Sequence, residues 1–431
     1  MRKAMSDYLS STDGFMWSLG FDPVLRSTIV TLTVLEQAAD WSVIVDRFDR
    51  ISRVVPRFRQ RVTRSTPLRR PCWEFDPDFR LDHHLRKVTV PRPGTPAVLL
   101  DLARRAVMNE FDRNRPLWQA TYVDGLADGT AALVCSFDHA LTDGIGAVQI
   151  ATVLYDCDDR TTPFGPLDVP VPCSAPSTAR VMSAVRHPLG TAAAGVSAAL
   201  SIYRAARPIR GPRSSIMRSR TPDRHVDTLE VSRPRLQRAG SVTGGSLNDA
   251  FIAAVAGGLR RYHERHDVSV GELTMSMPIS IRTRLDPAAG NRATLMRVAV
   301  PAGTTDPRQR IAEIHQRTTS ARGGKSLGYT DLIAAGLNTL PRCYIGSELR
   351  HVDFVASDVP GFPLPLRLGG VPVRMQYAFS PTLGASANAT LLSYIDTCAI
   401  GINVDTGAIP DHRVFHDCLA EGFEETMALA T

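Results

Sequence analysis

Apolar residues form two short runs in the first third of the chain, at residues 120–126 and 130–137, and each run has the composition of a β-strand. Between them stands Asp128-Gly129, a dipeptide suited to a tight turn, so the pattern predicts a β-hairpin. Downstream, apolar residues recur at helical spacing. They are Ile145, Val148, Ala151 and Tyr155. The sequence therefore predicts strand, turn, strand and helix, with residues 138–144 at the last strand-to-helix connection.

A second amphipathic helix is predicted further along, where apolar residues are spaced three and four apart. They are Leu247, Phe251, Val255, Leu259 and Tyr262. Ser246 or Asn248 can cap this helix, which puts Asn248 and Asp249 in its first turn. A capping role and a substrate contact are both open for this pair. Residues 277–281 form an apolar strand-like run that ends at Arg282.

The chain predicts two α/β domains joined by a long connection. Residues 1–155 and 241–431 alternate helix-like and strand-like runs, whereas both ends of 156–240 are rich in proline, serine and arginine. Within the connection, residues 177–207 predict one or two helices with flanking arginines. Such a helix either lies in a membrane interface or packs on the protein as a crossover.

Composition is that of a globular protein of 431 residues, 43% apolar and 22% charged. No stretch is long and apolar enough for a membrane-spanning helix, and the N-terminus lacks the apolar core of a signal peptide, so we expect a cytoplasmic protein. The cysteines form no CxxC pair, which favours neither disulfides nor a zinc site. The net charge of +7, carried mostly by arginine, favours an anionic partner.

The richest candidate chemistry lies in FDHALTDG, residues 137–144. A neutral imidazole at His139, just past the strand, can accept a proton from a hydroxyl group. Asp143 can cap the following helix or pair with an arginine, and Gly144 allows close approach of another segment. The alternative is a purely structural histidine beside an N-cap aspartate.

Other candidates favour ordinary structural roles. His83 and His84 stand in a charged run that predicts a surface turn or strand edge, and His263 and His266 predict a solvated helix end. Cys135, inside an apolar strand, is predicted to be buried and inert.

FDHALTDG resembles the HHxxxDG motif of the CoA-dependent acyltransferase superfamily, and further motifs narrow the resemblance to the bacterial wax ester synthase/diacylglycerol acyltransferase family. These motifs follow one another along almost the whole chain. They are LSSTDGFMW at 9–17, VPRFRQRV at 55–62, residues 72–88, RPLW at 115–118, ND at 248–249, MPISIRTR at 277–284, GN at 290–291, SDVPG at 357–361 and NATLLSY at 388–394.

The resemblance implies two chloramphenicol-acetyltransferase-like domains with an active-site tunnel at their interface. Acyl-CoA enters as a co-substrate, and diacylglycerol or a long-chain alcohol is the acceptor. His139 takes the position of the general base, and no metal or cofactor is implied. Asp143 takes a structural position that is usually paired with an arginine, for which Arg282 is our candidate.

The remaining motif residues are candidate substrate or interface positions: Pro116, Leu117, Trp118, Asn248 and Asp249. For Trp118 we favour a core anchor. Because such an enzyme must collect water-insoluble lipids, we expect peripheral contact at the inner face of the membrane or on lipid inclusions.

Three departures from the family pattern bear on activity and acceptor choice. Asp138 replaces the first histidine of the motif, Asp358 replaces an asparagine, and residues 387–390 read ANAT. Two alternatives therefore stay open: an acyltransferase for another lipid or polyketide alcohol, and a weakly active paralogue that binds acyl-CoA or lipid. A nucleic-acid partner is not expected, because the arginines of 204–224 have no aromatic residues among them.

Overall fold

The computed structural model describes residues 8–63, 71–92, 94–157, 213–280, 293–322 and 342–430. The helices, in chain order, are α1 Ser11–Leu19, α2 Trp41–Val54, α3 Ala97–Met108, α4 Gly144–Leu154, α5 Arg233–Ser241, α6 Leu247–Glu264, α7 Pro307–Arg322, α8 Arg342–Leu349 and α9 His412–Met427. The strands are β1 Thr28–Leu35, β2 Gln60–Thr63, β3 Cys72–Phe75, β4 Leu85–Thr89, β5 Trp118–Asp124, β6 Ala131–Asp138, β7 Arg224–Ser232, β8 Leu273–Ser280, β9 Ala293–Val300, β10 Phe354–Phe362, β11 Arg367–Leu368, β12 Val371–Phe379, β13 Ala387–Tyr394 and β14 Thr397–Asp405.

The first sheet has the strand order β11-β12-β1-β6-β5-β4. Strands β5 and β6 form the predicted antiparallel hairpin, and Gly129 in its turn has a φ of +76°, which suits glycine. Every residue of β6 is buried, because α2 covers one face of the sheet and α3 the other. The strand that leads into the 137–144 motif is therefore held in the middle of a core.

The second sheet has the order β7-β14-β13-β10-β8-β9. Helix α6 packs on this sheet beside α9, and most of its residues are buried, as in an apolar helix at the centre of a domain. The helix predicted from the Leu247–Tyr262 spacing is confirmed. Within the part of the chain that the structure describes, no helix is long and apolar enough to cross a membrane.

The domain boundaries predicted from the sequence need one correction. Part of the predicted connection, residues 224–240, is β7 and most of α5, and β7 pairs along its whole length with β14 of the second sheet. The proline- and arginine-rich composition stops just before β7, so composition placed the boundary too late. The helices predicted at 177–207 lie outside the described residues.

The C-terminal part of the chain also contributes strands to both sheets. Strands β11 and β12 come from the C-terminal part of the sequence, yet β12 pairs with β1 in the first sheet. The chain then crosses to β13 of the second sheet, and buried polar groups fix the crossing: the Asn388 amide donates to the Pro381 carbonyl at 2.8 Å. At Gly401 a Cβ would lie 2.0 Å from the Ala378 carbonyl oxygen, so only glycine allows β12 and β14 to approach this closely.

Candidate active site

His139 follows the last residue of β6, and its backbone amide donates to the Ser27 carbonyl at 3.0 Å. Its side chain is half-buried. Burial lowers the pKa of the imidazole below its usual 6.5, while the nearby Asp143 carboxylate opposes that shift. The imidazole is therefore neutral at pH 7, the state in which it can accept a proton.

Asp143 is the N-cap of α4, as predicted. Its carboxylate accepts a hydrogen bond from the Gly146 amide at 2.7 Å, and its side chain is buried. The negative charge of the same carboxylate acts to raise the pKa of His139. Asp143 thus both fixes the start of α4 and favours the protonated form of the histidine. Arg282, the predicted arginine partner of Asp143, lies outside the described residues.

Asp138 has different surroundings from His139. Its carboxylate accepts from the Ala140 amide at 2.9 Å, and a Cβ placed on Gly20 would lie 3.4 Å from its Oδ2. Burial raises the pKa of Asp138 to about 6, the positive charge of Arg113 lowers it, and the negative charge of Asp13 raises it further. The aspartate therefore sits in a buried, charged niche between α1 and the motif.

Pro116 and Leu117 precede β5 and Trp118 begins it, beside the end of β6. The Leu117 carbonyl accepts from the Asp138 amide at 3.0 Å, and Trp118 pairs with the residue before Asp138. Trp118 is fully buried, and its indole N–H donates to the Phe58 carbonyl at 2.9 Å. The prediction of Trp118 as a core anchor agrees with this burial.

Two histidines are more buried than the sequence indicated. His84, expected at a surface turn or strand edge, is buried and stacks on Trp118 with ring centroids 4.7 Å apart. His263, expected at a solvated helix end, is also buried and bonds both Ser214 and the Leu259 carbonyl at 2.8 Å. The sequence missed both because Trp118, which covers His84, and Ser214, which bonds His263, are distant from them in the chain.

The second sheet meets the motif at Gly144. A Cβ there would lie 3.2 Å from Cγ2 of Val359, so β10 packs against the first turn of α4. The neighbouring Asp358 is exposed to solvent, and the protein around it raises its pKa. The motif and β10 thus face each other at the boundary between the sheets.

Asn248 and Asp249 begin α6, where Ser246 is the N-cap and Asp249 completes a capping box. Asp249 also accepts hydrogen bonds from His315 at 2.8 Å and Thr318 at 3.0 Å, both on α7. Asp249 therefore anchors α6 to α7, whereas the side-chain amide of Asn248 donates to the Met277 sulfur, on β8, at 3.7 Å. Sequence reasoning missed His315 and Thr318, although their three-residue spacing places them on one face of α7.

The remaining titratable candidates add no nucleophile or metal centre. Cys135 is buried, and burial raises its pKa to about 12, which keeps the thiol protonated and inert as predicted. Among the residues that the structure describes, no group of histidine, cysteine, aspartate or glutamate side chains is arranged to hold a metal ion. What the described site offers is a neutral imidazole beside a carboxylate at the boundary of two sheets.

Comparisons with known proteins give matches along the chain. The model for the wax ester synthase/diacylglycerol acyltransferase catalytic domain matches residues 4–251, and the model for the C-terminal domain of the same family matches residues 289–426. Two proteins of Mycobacterium tuberculosis strain H37Rv, both named provisionally as diacylglycerol O-acyltransferases, are 32% and 27% identical to this chain. They cover 99% and 98% of this chain, and 93% and 95% of their own lengths are matched.

Solved structures show the same fold. The wax ester synthase/diacylglycerol acyltransferase from Marinobacter aquaeolei VT8 superposes with a TM-score of 0.69 at 22% identity, covering 99% of this chain and all of that one. The first condensation domain of the calcium-dependent antibiotic synthetase superposes with a TM-score of 0.68 at 15% identity, covering 99% and 96%. The predicted fold, an α/β fold with two chloramphenicol-acetyltransferase-like domains, is confirmed.

Proposed function

The chain belongs to the wax ester synthase/diacylglycerol acyltransferase family, and from that membership we propose that it transfers a fatty acyl group from acyl-CoA to the hydroxyl group of diacylglycerol. The names of the mycobacterial relatives support diacylglycerol as the acceptor. The family name also covers wax ester synthesis, so a long-chain alcohol is the second acceptor to test.

His139 is the general base of the proposed reaction. One of its ring nitrogens takes the proton of the acceptor hydroxyl as the oxygen attacks the thioester carbonyl carbon. The tetrahedral intermediate then collapses, the carbon–sulfur bond breaks, and the departing CoA sulfur takes the proton back from the imidazolium. The reaction ends with an ester, free CoA and a neutral histidine, so neither a metal nor a covalent acyl-enzyme is needed.

The observation that carries this assignment is the state of His139. Burial holds its pKa below 6.5, so the imidazole is neutral and able to accept a proton at pH 7. Asp143 stabilises the imidazolium that forms during transfer, because its negative charge favours the protonated ring. Each group thus supports the step in which the hydroxyl proton moves.

The acceptor and the product are insoluble in water, so we propose that the enzyme works at a lipid surface, either the membrane or a lipid inclusion. Support comes from the sequence: arginines flank the apolar positions of residues 177–207, a pattern that suits an anionic lipid interface.

The decisive experiment supplies the purified protein with radiolabelled palmitoyl-CoA and either dioleoylglycerol or hexadecanol, and resolves the neutral lipids by thin-layer chromatography. We expect labelled triacylglycerol from the wild type and a loss of about 10²–10⁴-fold in His139→Ala, the usual contribution of a positioned base.

His83→Ala is the matched control, since His83 is also partly exposed but lies in the short helix before β4. It should transfer at the wild-type rate. A His139→Ala variant that is folded by circular dichroism and still transfers at a near-normal rate would overturn the assignment. Labelled ester from hexadecanol alone would change the acceptor and leave the base in place.

A further inference from the structure

Residues 20–27 connect α1 to β1 and reach from the motif to the second sheet; we call them the 20–27 segment. At one end lies Ser27, which is fully buried. Its carbonyl accepts a hydrogen bond from the His139 backbone amide at 3.0 Å, and its hydroxyl donates one to the Met16 carbonyl at 3.3 Å. At the other end, Gly20 lies beside Asp138. The backbone around His139 therefore depends on where this segment lies.

Charged side chains from the C-terminal half of the chain hold the middle of the segment. Arg224, at the start of β7, donates from Nη2 to the Val24 carbonyl at 2.9 Å and forms an ion pair with Asp405 at 3.2 Å. Both side chains of that ion pair are buried. Asp22 pairs with Arg350, just after α8, at 3.0 Å.

Leu25 is seated in a slot between two glycines. An ideal Cβ on Gly346, in α8, would lie 3.2 Å from Leu25 Cδ1, and one on Gly384 would lie 2.9 Å from Cδ2. Leu25 is only 3% exposed. A methyl group at Gly384 would require Leu25 to shift, and one at Gly346 would require it to give way by a few tenths of an ångström, so both branches of the leucine are closely held. Leu25 stands two residues before Ser27.

We propose that Leu25 is a positioning residue: held between Gly346 and Gly384, it sets the 20–27 segment, and through Ser27 the backbone of His139, against the half of the molecule that carries the second sheet. This rests on the proposed role of His139 as the base. The motif faces β10 across the boundary between the sheets, so a shift of this segment moves the base relative to that boundary, and a displacement of about 1 Å can cost about 10²-fold in rate.

Gly346→Ala tests the proposal with a single methyl group. Alanine is the better helix former, so the change favours α8, while its Cβ presses on Leu25. We expect kcat to fall several-fold with both KM values unchanged and the thermal midpoint not lowered. Gly14→Ala is the matched control, because Gly14 also lies in a helix but its Cβ would meet nothing within 4 Å.

Two further measurements separate positioning from simple packing. Hydrogen exchange of the His139 amide should quicken in Gly346→Ala, because its bond to Ser27 is strained, and stay at the wild-type rate in Gly14→Ala. Leu25→Val removes the δ-carbons that the new methyl group meets, so it should restore part of kcat when combined with Gly346→Ala, although alone it loosens the slot and lowers kcat.

The outcomes are distinct for each hypothesis. Wild-type kcat and His139 exchange in Gly346→Ala, with His139→Ala inactive, overturn the positioning role and leave the proposed function standing. A lower thermal midpoint with unchanged kcat identifies a packing contact only and also overturns it. An active His139→Ala removes both hypotheses. Should Gly346→Ala fail to fold, Leu25→Val alone decides: unchanged kcat and exchange refute the role.

Discussion

Replacing Asp138 with asparagine should stabilise the protein, and only above a certain pH. Burial raises the pKa of Asp138 from 3.8 to about 6, so between those values the folded state holds a proton that the unfolded state has lost. Stability must then fall as the pH rises through this window, and the full cost applies above pH 6. At about 1.4 kcal/mol per pKa unit, ionised Asp138 costs about 3 kcal/mol at neutral pH.

The assay is urea unfolding of the wild type and Asp138→Asn across pH 4 to pH 8. Asparagine keeps the side-chain oxygen that accepts from the Ala140 amide but cannot ionise. The variant should match the wild type near pH 4 and exceed it by up to about 3 kcal/mol at pH 7.5. Acyl transfer should stay within a few-fold of the wild type, because His139 alone carries the proton.

Asp358→Asn is the control for burial. The protein around Asp358 also raises its pKa, but its side chain is exposed, so water stabilises the ionised form and both the pKa shift and the gain in stability should be smaller than at Asp138. A gain in Asp138→Asn that is equal at pH 4 and pH 7.5, or a loss of stability at pH 7.5, would refute the reasoning.

Three other outcomes are expected. Asp143→Ala should lower the free energy of unfolding by about 0.5–2 kcal/mol by removing the cap that accepts from Gly146, and Asp143→Asn should recover most of it in the same urea assay. In the pH profile of kcat/KM, activity should be lost on the acid side below pH 6.5, and this loss should shift to lower pH in Asp143→Asn, because the Asp143 carboxylate raises the pKa of His139. A profile that does not shift would show that Asp143 has no electrostatic effect on His139. Trp118→Ala should cost about 3–5 kcal/mol in stability yet leave kcat near the wild-type value in the fraction that folds at low temperature, and a selective loss of kcat would make Trp118 more than a core anchor.

Local chemistry made much of the site predictable. The turn at Asp128-Gly129, the helix after Gly144 and the cap at Asp143 each depend on residues a few positions apart, and all three are present. The helix from Leu247 was equally readable, because its apolar positions repeat at helical spacing and Ser246 precedes them. In each case the sequence carries both partners of the interaction within one turn or one strand.

What the sequence could not supply are contacts between distant segments. The Ser27 carbonyl that holds His139 has no signature, since every residue has a carbonyl. His84 looked exposed because its neighbours are charged, while the ring that covers it belongs to Trp118, on another strand. Nothing in the alternation of β12 tells which sheet it joins, because either sheet would bury the same positions.

The sharing of strands between the sheets has a consequence for biosynthesis. Strand β1 lies between β6 and β12, and β12 is made only when the ribosome has passed Phe379. Until then the nascent first domain presents one side of an eight-residue apolar strand with its amide and carbonyl groups unpaired, a template on which other chains can add. The first domain can therefore be completed only late in translation, and folding should depend on chaperones that cover β1 while the rest of the chain is made.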